Sequence, residues 1–538
     1  MGDYNINGLA VPLFLAFMVV EYLFLRLRGR NLHRYNDSVT SLSMGMCLLI
    51  SDALLKAYTF AIFIYLWDQH RFFDFGANEA ITWLVFFFGV DFCYYWFHRI
   101  AHEVNFLWGA HVGHHQSEEY NLTTALRQSA FQYAFSWVFY LPLALLGCPP
   151  KVFLVQFIIL KLYQFWLHTQ GIKRVPLLEG IFSTPSSHRV HHAKNPCYID
   201  RNYGGTLVLW DRVFGTWQAE LDNEPCHYGT TQPLDTLNPV KANLQHWSML
   251  AKDTLYTEKW PDKAKLWFKP TGWRPDDCLQ RDAKALHSPM QKSGCEQRPK
   301  YDPQTNTGIK VYVGLSMLSL FATASMFVFL GPQLSGWQLA SGAILIVSGL
   351  VIANEFLENK FSYRLVEFVR VPLLLWFAAT LWSTSSTTTV VNTITMNQPP
   401  LEVLNYASTP ARWPEWHPQS AKVYLDEKLP LPKGEGFEED ILTPIGENHL
   451  VWIVEDSIAG QLWLATAINQ NNGALIRLQY RVSATVTPHG KQTIFERTLD
   501  YTLPNFFLVA FNAIHMKAEV EQKSADALLR LKSAVDRL

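Results

Sequence analysis

Eight apolar runs dominate the first 382 residues, at 9–28, 42–67, 80–97, 129–147, 150–169, 308–331, 337–354 and 371–382. About 20 apolar residues let a helix cross a bilayer, where only helices and closed barrels satisfy their own backbone hydrogen bonds. The chain therefore reads as mostly α, an integral-membrane protein with several spans. Charged residues, at 17%, fall below the roughly 25% of soluble domains. The first run is followed by Arg26, Arg28 and Arg30. That is the reverse order of a cleaved signal peptide, so the run reads as a retained anchor with its basic exit in the cytosol. Runs 129–147 and 150–169 read as a tight hairpin of two crossings around Gly147-Cys148-Pro149-Pro150. Run 371–382 is too short to span and reads as re-entrant or interfacial. If it does not span, the C-terminal region shares the cytosol with the residues described next, as a hand-off of lipid would require; if it spans, there are eight crossings and that region lies outside.

Nine of the 18 histidines fall between His98 and His192, eight of them in three clusters: His98 and His102; His111, His114 and His115; His188, His191 and His192. His168 stands alone at the end of an apolar run and reads as a ninth candidate metal ligand. Imidazole is the commonest protein ligand for transition metals, and no structural need calls for so many so close together. His98 and His102 are four apart, so a helix presents both on one side. In each H-x-x-H-H cluster the i, i+3 pair is expected to converge on one ion while the adjacent histidine turns towards a second. A structural zinc site closes with four ligands, so this set fits two ions with positions left open for oxygen or water. Glu103, directly after a candidate ligand, is placed to bind metal, orient a ligand or move a proton. Asp91, two helical turns before His98, is expected to accept a hydrogen bond from a ligating imidazole, and Asn195 is expected in the same surrounding layer. His33, His70, His417 and His489 are dispersed and read as ordinary hydrogen-bonded residues. A net charge of −1 gives no basic face for nucleic acid, and the seven cysteines contain no C-x-x-C pair that would hold a metal.

The order H-x3-H, H-x2-H-H, H-x2-H-H on a multispanning chain resembles the fatty acid hydroxylase/sterol desaturase superfamily of membrane di-metal oxidases. Within it, Arg99–Trp108, Ser117–Ser129, Tyr163–Thr169, Thr184–Asn195 and Tyr198–Phe214 are similar to the alkylglycerol monooxygenase family. The resemblance implies that the eight clustered histidines ligate two irons and that Glu103 holds a required acidic position. It also implies oxygen-dependent hydroxylation of the ether-linked carbon of an alkylglycerol, giving a fatty aldehyde and a glycerol derivative, with tetrahydrobiopterin as electron donor. Zinc can replace iron in an all-histidine site during preparation. A sterol or fatty acyl substrate for the same chemistry stays open, as does a non-catalytic lipid-binding or transport protein. The oligomeric state is not legible.

The chain divides into a membrane hydroxylase region at 1–307, further transmembrane helices at 308–382 and a different domain at 383–538. There, threonine and valine alternate with polar residues through Thr384–Met396, as in a strand. Further strand-like stretches follow at His449–Glu455, Gly460–Asn469, Ala474–Ala484 and Gln492–Leu503, then a terminal helix. This order, with Ala407–Gln419, resembles the START-like helix-grip fold of polyketide-cyclase relatives, an α+β domain that encloses an apolar cavity. The resemblance implies a lipid-binding role.

Overall fold

Five helices among the described residues are long and apolar enough to cross a membrane: Tyr35–His70, Ala80–Glu103, Thr307–Gln333, Gly336–Leu357 and Arg364–Trp382. They belong to a computed structural model that describes residues 7–286, 299–443, 446–487 and 490–537. The chain separates into two units, Met1–Leu375 and Trp376–Leu538. In the first unit Ala80–Glu103 is apolar along most of its length and free of proline. It stops where Val104 turns extended (φ −116°, ψ 121°) and its N–H closes on the Ile100 carbonyl. That stop leaves His98 and His102 in the last two turns. Within the bundle, Asn354 accepts from Thr40 Oγ1 (2.9 Å) and donates to Ser43 Oγ (2.8 Å), tying Gly336–Leu357 to Tyr35–His70. A buried amide is tolerated there because its hydrogen bonds are met.

Two expectations change. The hairpin expected at 129–147 and 150–169 forms, but from short arms. Its first arm is broken into Gln132–Ser136, a 3-10 turn at Trp137–Tyr140 and Leu141–Leu146, and its second, Pro150–Phe165, has 16 residues. At 1.5 Å per residue, 16 residues reach only ~24 Å, less than the ~30 Å of a hydrocarbon core. The arms meet at Gly147 (φ +104°), where a Cβ would lie 2.0 Å from the Phe73 carbonyl oxygen. Conversely, run 371–382 is the end of a 19-residue helix, Arg364–Trp382. The hydropathy signal begins late because Glu367 and Arg370 fall in the first two turns of the helix. They pair with each other at 2.6 Å and are buried, so their charges cancel. The shortness of the run is therefore no argument against a crossing.

The second unit is one antiparallel sheet in the order β1-β7-β6-β5-β4-β3-β2. Its strands are β1 (Ser386–Met396), β2 (Ser420–Val423), β3 (Gly436–Thr443), β4 (Gly446–Ile458), β5 (Leu462–Asn469), β6 (Leu475–Thr487) and β7 (Gly490–Leu503). Val390 and Leu478 both face Leu499 of β7, so a row of apolar side chains runs across the sheet. The terminal helix Lys517–Val535 buries Val520, Ala527, Leu528, Leu531 and Val535, spacings that keep one face inward. A long helix on a sheet of this order is the expected helix-grip arrangement. Strands β2 and β3 went unread because β3 carries Glu438, Glu439 and Asp440 where apolar alternation would signal a strand.

Candidate metal centre

Four local structures deliver the nine histidines. The last two turns of Ala80–Glu103 carry His98 and His102, and the short helix Val112–His115, entered at His111, carries His114 and His115. His168 follows Pro150–Phe165. His188, His191 and His192 ride on Pro185–His192, started by a Thr184–Ser187 capping box with proline at its first position. All nine side chains are buried.

Their nitrogens fall into two sets, each with its ligand atoms within 4.8 Å of one another: His98, His102, His111, His115 and His191; and His114, His168, His188 and His192. The two sets adjoin where the His115 and His192 rings stack at 4.3 Å between centroids. Each H-x-x-H-H cluster thus divides between the sets, with a different pairing from the i, i+3 one expected. His111 joins His115 and His188 joins His192, both i, i+4, while the i+3 residue turns away. On a helix i+4 lies more nearly above i than i+3 does, and four-residue spacing wins here.

The donor chemistry fits metal ions. Backbone carbonyls only accept, so they fix a proton on Nδ1 and leave the lone pair on Nε2. His98 donates to the Tyr203 carbonyl (2.8 Å), His114 to Arg127 (2.8 Å), His168 to Gln164 (2.9 Å) and His191 to Arg201 (2.9 Å). His111 Nδ1 meets the Gln132 side-chain oxygen at 3.2 Å. The inward Nε2 atoms then face one another: His98 and His111 at 3.1 Å, His114 and His168 at 3.2 Å, His168 and His188 at 3.0 Å. Facing lone pairs repel unless a cation lies between them. Ligands at ~2.1 Å from one ion and at right angles stand ~3 Å apart, which matches. The Nε2 atoms of His102, His115, His191 and His192 are buried without any hydrogen-bond partner. Burial, reinforced by a neighbouring imidazole, pushes His111 down to about 3. Burial likewise lowers His168 to about 3 and His191 to about 4. Neutral imidazoles are the form that binds metal.

The fatty acid hydroxylase family model matches residues 83–216, which contain every one of these histidines. Alkylglycerol monooxygenase of Danio rerio is 40% identical over 369 residues, covering 68% of this chain and 81% of the relative. The chain belongs to the alkylglycerol monooxygenase family. The Homo sapiens and Xenopus tropicalis alkylglycerol monooxygenases are 43% and 42% identical, over 49% and 54% of this chain. The chain spans 59% and 63% of those two relatives' lengths. A second model, described as polyketide cyclase / dehydrase and lipid transport, matches residues 387–536.

Around the centre of this alkylglycerol monooxygenase family member, two expected neighbours act one layer further out. Among the described residues no imidazole donates to Asp91. Its carboxylate takes the Thr206 N–H (2.7 Å), the Leu207 N–H (3.3 Å) and Trp210 Nε1 (3.1 Å). Asn195 bonds Glu224, Pro225 and His227 and so pins the loop beyond His192. Both corrections have one cause: the imidazoles already use backbone carbonyls, leaving the polar side chains to hold the loops that carry them. Asp211 is the residue sequence reasoning passed over. It accepts from the backbone N–H of Tyr203 and of Gly204, both at 2.8 Å, and so positions the carbonyl that orients His98. The signal was the Tyr203-Gly-Gly turn, since a Cβ on Gly204 would lie 2.3 Å from the Leu207 carbonyl oxygen. Glu103 lies outside both nitrogen sets, 40% exposed and paired with Arg99 at 2.9 Å. A polar cavity of about 1160 Å³ reaches the centre at His102, His115, His191 and His192. His489 lies outside the residues whose side chains are described.

Proposed function

We propose that the chain is a di-iron, oxygen-dependent monooxygenase that hydroxylates the ether-linked carbon of an alkylglycerol. One oxygen atom enters a hemiacetal, which separates into a fatty aldehyde and a glycerol derivative; the other leaves as water with two electrons from a reductant. The observation that carries this reading is the division of nine buried, neutral imidazoles into sets of five and four with their lone pairs converging. His98, His102, His111, His115 and His191 hold one ion; His114, His168, His188 and His192 hold the other. Two irons would supply the oxygen activation that an unactivated C–H bond requires.

The chain's own residues do the rest. Carbonyls of Tyr203, Arg127, Gln164 and Arg201 hold the imidazoles in one tautomer, so the ligands need little reorganisation. Glu103, at the edge of the centre and steadied by Arg99, passes protons between the centre and water. The polar cavity brings the reductant, tetrahydrobiopterin, to His102 and His115, while the ether lipid arrives from the apolar helices. In this reading the centre faces the cytosol. A hand-off of lipid by the C-terminal unit requires it on the same side, and protection of a C-terminal tag from protease added on that side would refute this. A sterol or fatty acyl substrate is the competing reading. Aldehyde release from a panel of alkylglycerols and sterols, with and without tetrahydrobiopterin, tests the whole. Aldehyde from alkylglycerols that depends on the pterin supports it; turnover of sterols alone, or metal-free lipid-loaded protein, contradicts it.

A further inference from the structure

The sheet unit contains a second cluster of buried polar side chains that the metal chemistry leaves unused. A cavity of about 100 Å³ is lined by inward residues of β3 to β7 and by Met516 and Val520. Along β7 its lining reads Arg497, Leu499, Tyr501, Leu503, every second residue, as one face of a strand must. Arg497 is buried, 2% exposed. Among the described residues no carboxylate comes within ion-pair distance of it. Its guanidinium donates to Ser524 Oγ and, at 2.8 Å, to His417 Nε2. Because His417 Nε2 accepts, the ring proton sits on Nδ1. That Nδ1 and Arg497 Nε are both buried without a close hydrogen-bond partner, and the Tyr480 hydroxyl, equally buried and unpaired, lies beside the guanidinium.

A buried cation without a counter-charge, beside a second unmatched N–H, is costly by several kcal/mol unless something satisfies it. The nearby carboxylate, Glu439, is engaged by Trp452 Nε1 at 2.9 Å. Burial raises Glu439 to about 7, so at neutral pH it offers Arg497 only part of a negative charge. What is missing is an anionic acceptor. The neighbouring wall is apolar: Leu499, Leu478, Ile476 and Leu503. At ~10–15 Å³ per water-sized group the cavity holds roughly seven to ten such groups, so octanoate, with its carboxylate and short chain, is about the upper limit.

We propose that this cavity binds the carboxylate of a medium-chain alkyl acid, with Arg497 Nε, held in place through His417 Nε2, donating to it and the chain lying along Leu499 and Leu478. The site is independent of the iron chemistry. A carboxylate fits better than an aldehyde or alcohol because a charge-assisted hydrogen bond to a buried guanidinium is about twice as strong as a neutral one.

The test uses the full chain in nanodiscs, with octanoate labelled with carbon-13 at the carboxyl, and octanal and octanol as competitors. Empty nanodiscs provide the partition background. The expected result is saturable octanoate binding about tenfold tighter than octanol. Arg497→Met and His417→Phe should each remove that preference, while His191→Ala, which the proposed oxidation needs, leaves it intact. Melting curves of each variant separate lost binding from lost folding, and His417→Phe serves if Arg497→Met fails to fold. Equal binding of octanol and octanoate, or unchanged octanoate binding in either folded variant, would overturn the proposal.

Discussion

The histidine centre and the Arg497–His417 cluster are both knots of buried polar side chains, and they fail to satisfy themselves in opposite ways. At the centre, carbonyl oxygens consume the Nδ1 protons of His98, His114, His168 and His191, so lone pairs are left over. In the sheet, histidine and serine acceptors take up two of the guanidinium's donors, and N–H groups are left over. A surplus of lone pairs calls for a cation and a surplus of donors calls for an anion. The same accounting of buried hydrogen bonds thus assigns two different ligands to one chain.

The largest expected effect breaks the lone-pair side. His114→Ala or His191→Ala should abolish aldehyde formation with little change in membrane insertion; turnover with metal retained would contradict the ligand sets. Acid should weaken the metal-free protein next. His111, His168 and His191 have folded values of about 3, 3 and 4 against an ordinary 6.5, so the unfolded chain binds more protons throughout that interval. Their contribution is complete above pH 6.5 and is lost as pH falls towards 3–4. Melting temperature of apo protein should therefore drop steadily below pH 6.5, and a flat profile would show that these imidazoles are not buried neutral. Glu103→Gln should slow turnover ~100-fold or more while both ions remain bound. Its exposed pair with Arg99 carries under ~1 kcal/mol of stability, so a large fall in melting temperature would point to a structural role instead. Gln132→Leu removes the acceptor on His111 Nδ1 and should weaken metal binding ~10–100-fold, read by competition with a chelator. The smallest effect sharpens the donor side. Arg497→Met, measured without added carboxylate, should leave stability unchanged or raise it by ~1–2 kcal/mol, since it removes a buried charge that Glu439 only partly neutralises. A loss of several kcal/mol would mean that the arginine is structural.

Histidine identity was legible in the chain because the clusters are dense and the spacing is helical. His168 joined them on its position at the end of an apolar run. Which histidine serves which set was not legible, because i+3 and i+4 both lie near one helix face and tertiary contacts decide between them. Asp91 and Asn195 looked like partners of imidazoles because sequence shows side chains and hides the backbone carbonyls that fill that role. The C-terminal fold could be read from its order of strands and helices. Its acidic strand could not, since Glu439 turns inward to Trp452, where an apolar residue would be expected. His417 read as an ordinary residue, and only its pairing with Arg497 gives it a role. Charges that cancel inside a helix, as Glu367 and Arg370 do, are equally invisible to hydropathy.

The central claim is two irons in all-nitrogen surroundings. Iron stoichiometry with X-ray absorption on iron-reconstituted full chain tests it most directly. The account predicts two irons per chain, nitrogen or oxygen scatterers at ~2.1 Å without sulfur, and a fall towards one iron in His188→Ala. One iron per chain in the unaltered protein, or two retained unchanged in His188→Ala, would contradict it.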